Sequence, residues 1–399
     1  MHYRNHGLEM PETWPAFDWA DPFLLDASLR EEEKLVRDSA RSFAQARLMP
    51  LVQEMHRSES FDRGLLREMG SLGLLGSTLP DFGGVSPVGY GLTAREFERV
   101  DSAFRSSLSV QSSLVMHPIH AFGSVAQREK YLPKLATGEW IGSFGLTEPD
   151  HGSDPGSMET RAQRKGSAFV LNGTKRWITN GTIADIAIVW AKLDGEVRGF
   201  IVEAGTPGFQ APEIKNKLSL RASVTSDLNL DDVEVPEENL LPETGGIRSP
   251  LMCLNQARYG IAWGALGAAM ACYEWAVDYT KQRTQFGKPV AAFQLVQEKL
   301  AFMLTEITKG QLLAWRLGRL KDAGRLHFTQ TSLAKRNNVR IALETARLAR
   351  DLMGASGITL EYPVFRHMCN LESVYTYEGT DHIHTLILGE HITGIPAYS

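Results

Sequence analysis

Three dipeptides in the middle of the chain, Asn172-Gly173, Asn180-Gly181 and Asp194-Gly195, fall within 24 residues. Each lies beside a β-rich run such as Phe169-Val170-Leu171 or Ile186–Trp190. Asn-Gly and Asp-Gly favour turns with positive φ, so this stretch predicts antiparallel hairpins. Both flanks carry a helical period instead. A chain of 399 residues exceeds what one core serves, and the change of period places the joints. The expected domains are an N-terminal helical domain over residues 1–142, a central β domain over 143–246 and a C-terminal helical domain over 247–399.

The last zone carries four candidate helices. Ile261, Ala265, Ala269, Cys272, Ala276 and Tyr279 make one stripe, and Val296, Leu300, Met303 and Ile307 a second. Val339, Leu343, Ala346, Ala349 and Met353 make a third, and the tail from Thr380 to Ile392 predicts a fourth. Four such helices with short connections predict an up-and-down bundle, and the Ala-rich stripes allow close helix approach. With 43% hydrophobic and 22% charged residues and a net charge of −5, the composition is that of a globular protein and points away from a polyanion partner. The three cysteines lack the spacing of a disulfide framework or a zinc motif. No apolar run approaches the ~18 residues of a spanning helix. Met1–Trp14 lacks the apolar middle of a signal peptide, which predicts a cytoplasmic protein, or a mitochondrial matrix one whose targeting segment is gone.

Four segments carry candidate chemistry. In Phe144–Asp154, Gly152 and Ser153 offer open N–H groups and a hydroxyl suited to an anion, and Thr147 a hydroxyl for a ring heteroatom. In Lys175–Gly181, Trp177 and Thr179 share a strand face, an aromatic wall beside a hydroxyl. In Arg283–Pro289, between two bundle helices, Arg283 suits either helix carbonyls or a pyrophosphate. In Tyr377-Glu378-Gly379-Thr380, Gly379 admits close approach, Thr380 is a natural N-cap, and Glu378 in an apolar pocket becomes a general base. Each has a bland alternative as loop, core or surface charge. A metal site from His382 and His384 is disfavoured by the lack of a third ligand at suitable spacing.

In their order and approximate spacing these segments resemble the acyl-CoA dehydrogenase family, from about Phe17 to Ala397. The resemblance implies a mostly α fold with a central β domain: an N-terminal helical domain, a β-barrel domain and a C-terminal four-helix bundle. It also implies a homotetramer with FAD between β domain and bundle. Phe144, Leu146 and Thr147 would border the flavin, Gly152 and Ser153 its pyrophosphate or the substrate, and Trp177, Ile178 and Thr179 would flank it. Thr380 and His382 join this cofactor set. Arg283, Phe286, Gln294 and the Asp351–Ala355 turn, with Gly354, would reach a neighbouring subunit's cofactor. Glu378 would take the α proton as the β hydrogen leaves as hydride, and the electrons would pass to an electron-transfer flavoprotein. Arg258 and Tyr259 would contact CoA, beside Tyr377 and Gly379.

Within the family, Glu98–Ser106 and Ser109–Pro118 resemble glutaryl-CoA dehydrogenase. Arg105 would hold the distal carboxylate, with Ser106 and Glu98 beside it. Glu98 and Arg105, seven apart, would be two helical turns from each other. That implies oxidation of glutaryl-CoA with loss of CO2 to crotonyl-CoA, in lysine and tryptophan degradation. The alternatives are another acyl-CoA or acyl-carrier thioester, or a non-decarboxylating enzyme. Two stretches depart from the relatives: Gly354-Ala355-Ser356-Gly357, where Gly-Gly-Asn-Gly is usual, and Asp381-His382, where His-Asp is usual.

Overall fold

The computed structural model describes residues 17–398, so the Met1–Trp14 stretch lies outside the described residues. The first domain contains α1 (Glu31–Phe43), α2 (Met49–Ser58), α3 (Gly64–Ser71), α4 (Pro87–Glu98), α5 (Ser102–Ser109), α6 (His117–Phe122) and α7 (Val125–Ala136). Wide π-type turns, Ala44–Leu48 and Val110–Met116, carry α1 into α2 and α5 into α6. The corner between α4 and α5 is set by Asp101, whose carboxylate caps α5 by accepting from the Ala103 N–H at 2.9 Å.

The central strands are β1 (Gly142–Gly145), β2 (Arg161–Lys165), β3 (Ala168–Thr179), β4 (Ile186–Leu193), β5 (Glu196–Glu203), β6 (Phe209–Gln210) and β7 (Thr225–Pro236). They form one curled sheet in the order β1-β4-β2-β3-β7-β6, with β5 also on β4. The prediction of hairpins holds only in part. Asp194 and Gly195, both at positive φ, make the β4–β5 turn. Asn172-Gly173 instead lies inside β3 at a register shift, where Gly173 passes so close to Thr160 that a Cβ would sit 2.5 Å from its Oγ1. β1 and β2 both run parallel to β4.

The last domain contains α8 (Arg248–Gln282), the short hairpin β8 (Thr284–Gln285) and β9 (Lys288–Pro289), α9 (Gln294–Asp322), α10 (Phe328–Leu352), α11 (Val364–Thr376) and α12 (Asp381–Thr393). The three stripes fall on α8, α9 and α10. The fourth helix of the bundle is α11, which packs on both α8 and α10, while the predicted tail helix α12 packs on α10. Thr380 does cap α12, accepting from the Ile383 N–H at 3.1 Å. No helix among the described residues is long and apolar enough to cross a membrane.

α8 is the central strut. Every residue from Ala257 to Tyr273 is buried, the pattern of a helix enclosed on all sides. Its face toward α4 is glycine. A Cβ at Gly264 would sit 2.1 Å from Glu98 Oε2, and one at Gly267 2.0 Å from the Arg95 carbonyl oxygen. The Gly267 contact is backbone on backbone, so a methyl there forces the helices apart. Gly267→Ala should destabilise by about 2–3 kcal/mol. Gly389→Ala, with nothing within 4 Å of the new Cβ, should not. Thermal midpoints of the two variants, measured side by side, check this.

Candidate active site

On the sheet side, β1 and the residue that follows it deliver Phe144 and Leu146 into the core, Phe144 against Trp190 with ring centroids 6.0 Å apart. Thr147 emerges half-buried, and its carbonyl accepts from the Arg176 N–H at 2.8 Å. The loop that follows is held by a buried ion pair. Lys175 Nζ donates to Glu148 Oε1 at 2.8 Å and to the Leu146 carbonyl at 3.1 Å. Glu148 also accepts from the Glu159 and Thr160 N–H groups at 2.6 and 2.9 Å. Burial pushes the Glu148 carboxyl up, but Lys175 and these donors outweigh it and bring its pKa down to about 2.

The register of β3 breaks again between Lys175 and Ile178. Within that bulge Trp177 adopts φ 65 and is turned outward, 55% exposed. The Arg176 guanidinium lies over this ring, 5.2 Å from its centroid. Thr179, half-buried, stands two residues on. The side chain of Ile178 is buried in the sheet core, so any contact with a cofactor would be through its backbone. Gly152 and Ser153 lie on an exposed loop.

On the helical side, Tyr377–Thr380 is the turn between α11 and α12. Glu378 sits at φ 51 and Gly379 at φ 89, a left-handed pair. A Cβ at residue 379 would come within 3.0 Å of His384 and 3.2 Å of Arg258, so glycine is required. Arg258 Nε donates to the Glu378 carbonyl at 2.8 Å, so the side chain supports the turn. Tyr259 is fully buried and donates to the Pro87 carbonyl at 2.7 Å within the helical core.

Glu378 has one oxygen, Oε2, shielded from solvent with no hydrogen-bond partner among the described residues. Burial pushes its pKa up, while Arg105, Lys335 and Arg258 pull it back. Its N–H also finds no acceptor among the described residues. Beside it, Arg105 is 1% exposed. Its Nε donates to Glu98 Oε2 at 2.6 Å and its Nη2 to the Tyr377 hydroxyl, yet Nη1 is buried with no partner. Glu98 and Arg105 are not two turns apart on one helix. They close across the α4–α5 corner, and Ser102 steadies Glu98 at 2.8 Å. Ser106 is buried on α5.

The remaining predicted residues lie on the outside of this chain. Phe286 is 92% exposed on the β8–β9 turn, and Arg283 and Gln294 are exposed beside it. Asp351, in the last turn of α10 and paired to Lys299, and Gly354 and Ala355 just after it are exposed. His382 is exposed while His384 is buried, so the two do not converge.

The sequence matches the acyl-CoA dehydrogenase N-terminal domain over residues 30–139, the middle domain over 143–233 and the C-terminal domain over 244–393. The chain belongs to the acyl-CoA dehydrogenase family. This acyl-CoA dehydrogenase is similar to glutaryl-CoA dehydrogenase from Mycobacterium smegmatis, at 53% identity and a TM-score of 0.94, covering 95% of this chain and 99% of that one. A second structure from that organism, in complex with FADH2, is 50% identical with a TM-score of 0.95, covering 96% and 100%. The mitochondrial short-chain specific acyl-CoA dehydrogenase of Mus musculus is 34% identical over 373 residues, 91% of this chain and 90% of that protein.

Sequence reasoning missed Lys335, whose Nζ donates at 2.6 Å to both the Tyr377 and the Gly379 carbonyls. The signal was present: Lys335 lies one helical repeat before Val339, on the apolar stripe of α10, where a lysine needs a reason. It also missed the Glu148–Lys175 pair. Glu148→Gln should cost about 3 kcal/mol at neutral pH by stranding the buried ammonium. Because the folded carboxyl titrates near 2 rather than 4.5, its contribution is complete above 4.5 and is lost as pH falls toward 2. The gap in thermal midpoint between wild type and Glu148→Gln should therefore narrow as pH falls below about 5, and narrow again on the alkaline side, where the buried Lys175, itself brought down to about 8, gives up its proton.

Proposed function

We propose that this acyl-CoA dehydrogenase oxidises glutaryl-CoA across its α,β bond and releases CO2 to give crotonyl-CoA. The observation that carries the reading is the pairing of two orphaned atoms in one buried site: the Nη1 of Arg105 and the Oε2 of Glu378. A buried guanidinium with an unmatched N–H calls for an anionic acceptor, and a carboxylate matches its fork. A buried carboxylate without a partner is raised toward the range of a general base.

FAD is the cofactor; Trp177, Thr147 and Thr179 would hold it, and when bound it would supply hydride-accepting redox chemistry at the β carbon. The chain's residues do the rest. Trp177 offers a wall, Thr147 and Thr179 flank it, and Thr380 opens the last helix beside the base. Glu378 removes the α proton, and its own N–H is free to donate to the thioester oxygen where negative charge develops. Arg105, fixed by Glu98 and Tyr377, orients the far carboxylate. Loss of that carboxylate as CO2 leaves a dienolate for Glu378 to reprotonate. The exposed Arg283, Phe286, Gln294 and Asp351–Ala355 surfaces suit contact with a second subunit in a homotetramer, and an electron-transfer flavoprotein is the acceptor.

The short-chain relative favours a second reading, oxidation of an uncharged acyl-CoA. Arg105 separates the two. Arg105→Ala should lower kcat/KM for glutaryl-CoA by about 100-fold and for butyryl-CoA by less than about tenfold. Equal losses would favour the short-chain reading. Glu378→Gln should keep FAD bound yet slow flavin bleaching by about 1,000-fold or more. Product analysis decides the last step: crotonyl-CoA supports decarboxylation, and glutaconyl-CoA contradicts it.

A further inference from the structure

Three successive carbonyls, those of Tyr377, Glu378 and Gly379, accept from two buried cations. Lys335 on α10 takes the first and third, each at 2.6 Å, and Arg258 on α8 takes the second at 2.8 Å. The residue between the two lysine contacts is the one held at φ 51, a conformation that a glutamate adopts only when its surroundings impose it. Charge-assisted bonds to the carbonyls on either side impose it directly.

We propose that Lys335 is a positioning residue for catalysis, whose ammonium clamps the turn so that the Glu378 carboxylate faces the substrate and stays ionised at working pH. The proposal rests on the reading of Glu378 as base and adds the group that sets its geometry and titration. Lys335 is 1% exposed, so its charge acts across a dry interior. Its own pKa is driven down by burial and held up by Glu378, and the Glu378 carboxyl is in turn held back from rising further by Arg105, Lys335 and Arg258. The other groups facing this turn are Tyr90, Tyr377, Asp381 and His384, and burial holds both tyrosines above their ordinary value. Asp381 is paired with Arg340 and Arg336, and burial with the two nearby cations brings His384 down to about 2, so it is neutral. Among the described residues no other side chain bridges the carbonyls on both sides of Glu378.

The sign follows. A cation near a carboxylate lowers its pKa, and the base works only when deprotonated, so activity falls as pH drops through that value. Removing the cation moves the acidic limb upward. The test is anaerobic flavin bleaching by acyl-CoA on holoenzyme, followed from about pH 6 to about pH 9. Lys335→Met should keep the flavin spectrum, slow bleaching by about tenfold or more, and raise the midpoint of the acidic limb by about one unit. Lys335→Gln keeps N–H donors without the charge. It should show the same raised limb with a smaller loss of rate. If Lys335→Met fails to hold flavin, Lys335→Gln alone decides: a raised limb supports the clamp and an unmoved limb overturns it. Flavin-loaded variants with wild-type rate and limb overturn it too. Glu378→Gln distinguishes this from failure of the underlying reading, because full bleaching in that variant removes the base itself.

Discussion

Where α4 crosses α8, glycines at 260, 264 and 267 remove the side chains that would otherwise hold the helices at ordinary spacing. Glu98 lies directly over Gly264, and Arg105, reached around the α4–α5 corner, packs its Cγ and Cδ on the same glycine. The buried ion pair of the site is therefore seated on bare backbone. Close-packed interiors deform little, so this contact transmits the position of α8 to Arg105 and, through the Tyr377 hydroxyl, to the turn that bears Glu378.

Much of the rest is consequence. With α8 enclosed, Arg258 on it reaches the turn from one side, and Lys335 on the adjoining α10 reaches it from another. α11 is tied back to the same corner by Asp101, which accepts from Arg366 Nε at 2.8 Å and Asn370 Nδ2 at 2.9 Å. Asn370 also accepts from the Leu220 N–H at 2.7 Å, which joins the strand domain to this network. A buried carboxylate with these partners satisfies the requirement that interior charge be matched.

The division into helical, strand and helical zones was legible because hydrophobic period is a local property, and the stripes of α8, α9 and α10 are continuous. α11 was not legible for a specific reason. Its buried face mixes Val364, Leu371 and Val374 with Arg366, His367 and Asn370, and the polar residues, partners for Asp101 or the core, mask the apolar spacing. The parallel pairing of β1 and β2 with β4 is a long-range fact that turn dipeptides do not encode. The site residues with unusual chemistry, Glu378, Arg105 and Trp177, stood out through their motifs. Tyr259 and Ile178 did not separate from core residues, since a motif names neighbours without saying which way each side chain points. Glu98 and Arg105 met as foreseen, but around a corner that a helical count of seven conceals.

The glycine seam also limits how this scaffold can diversify. Any side chain at 264 or 267 collides with α4, so the seat beneath Glu98 and Arg105 is immovable. Changes of substrate must be written elsewhere, through the residues of α5 and the turn after α11. Enzymes on this frame would then differ in which acyl tails they accept while keeping one shared back plate.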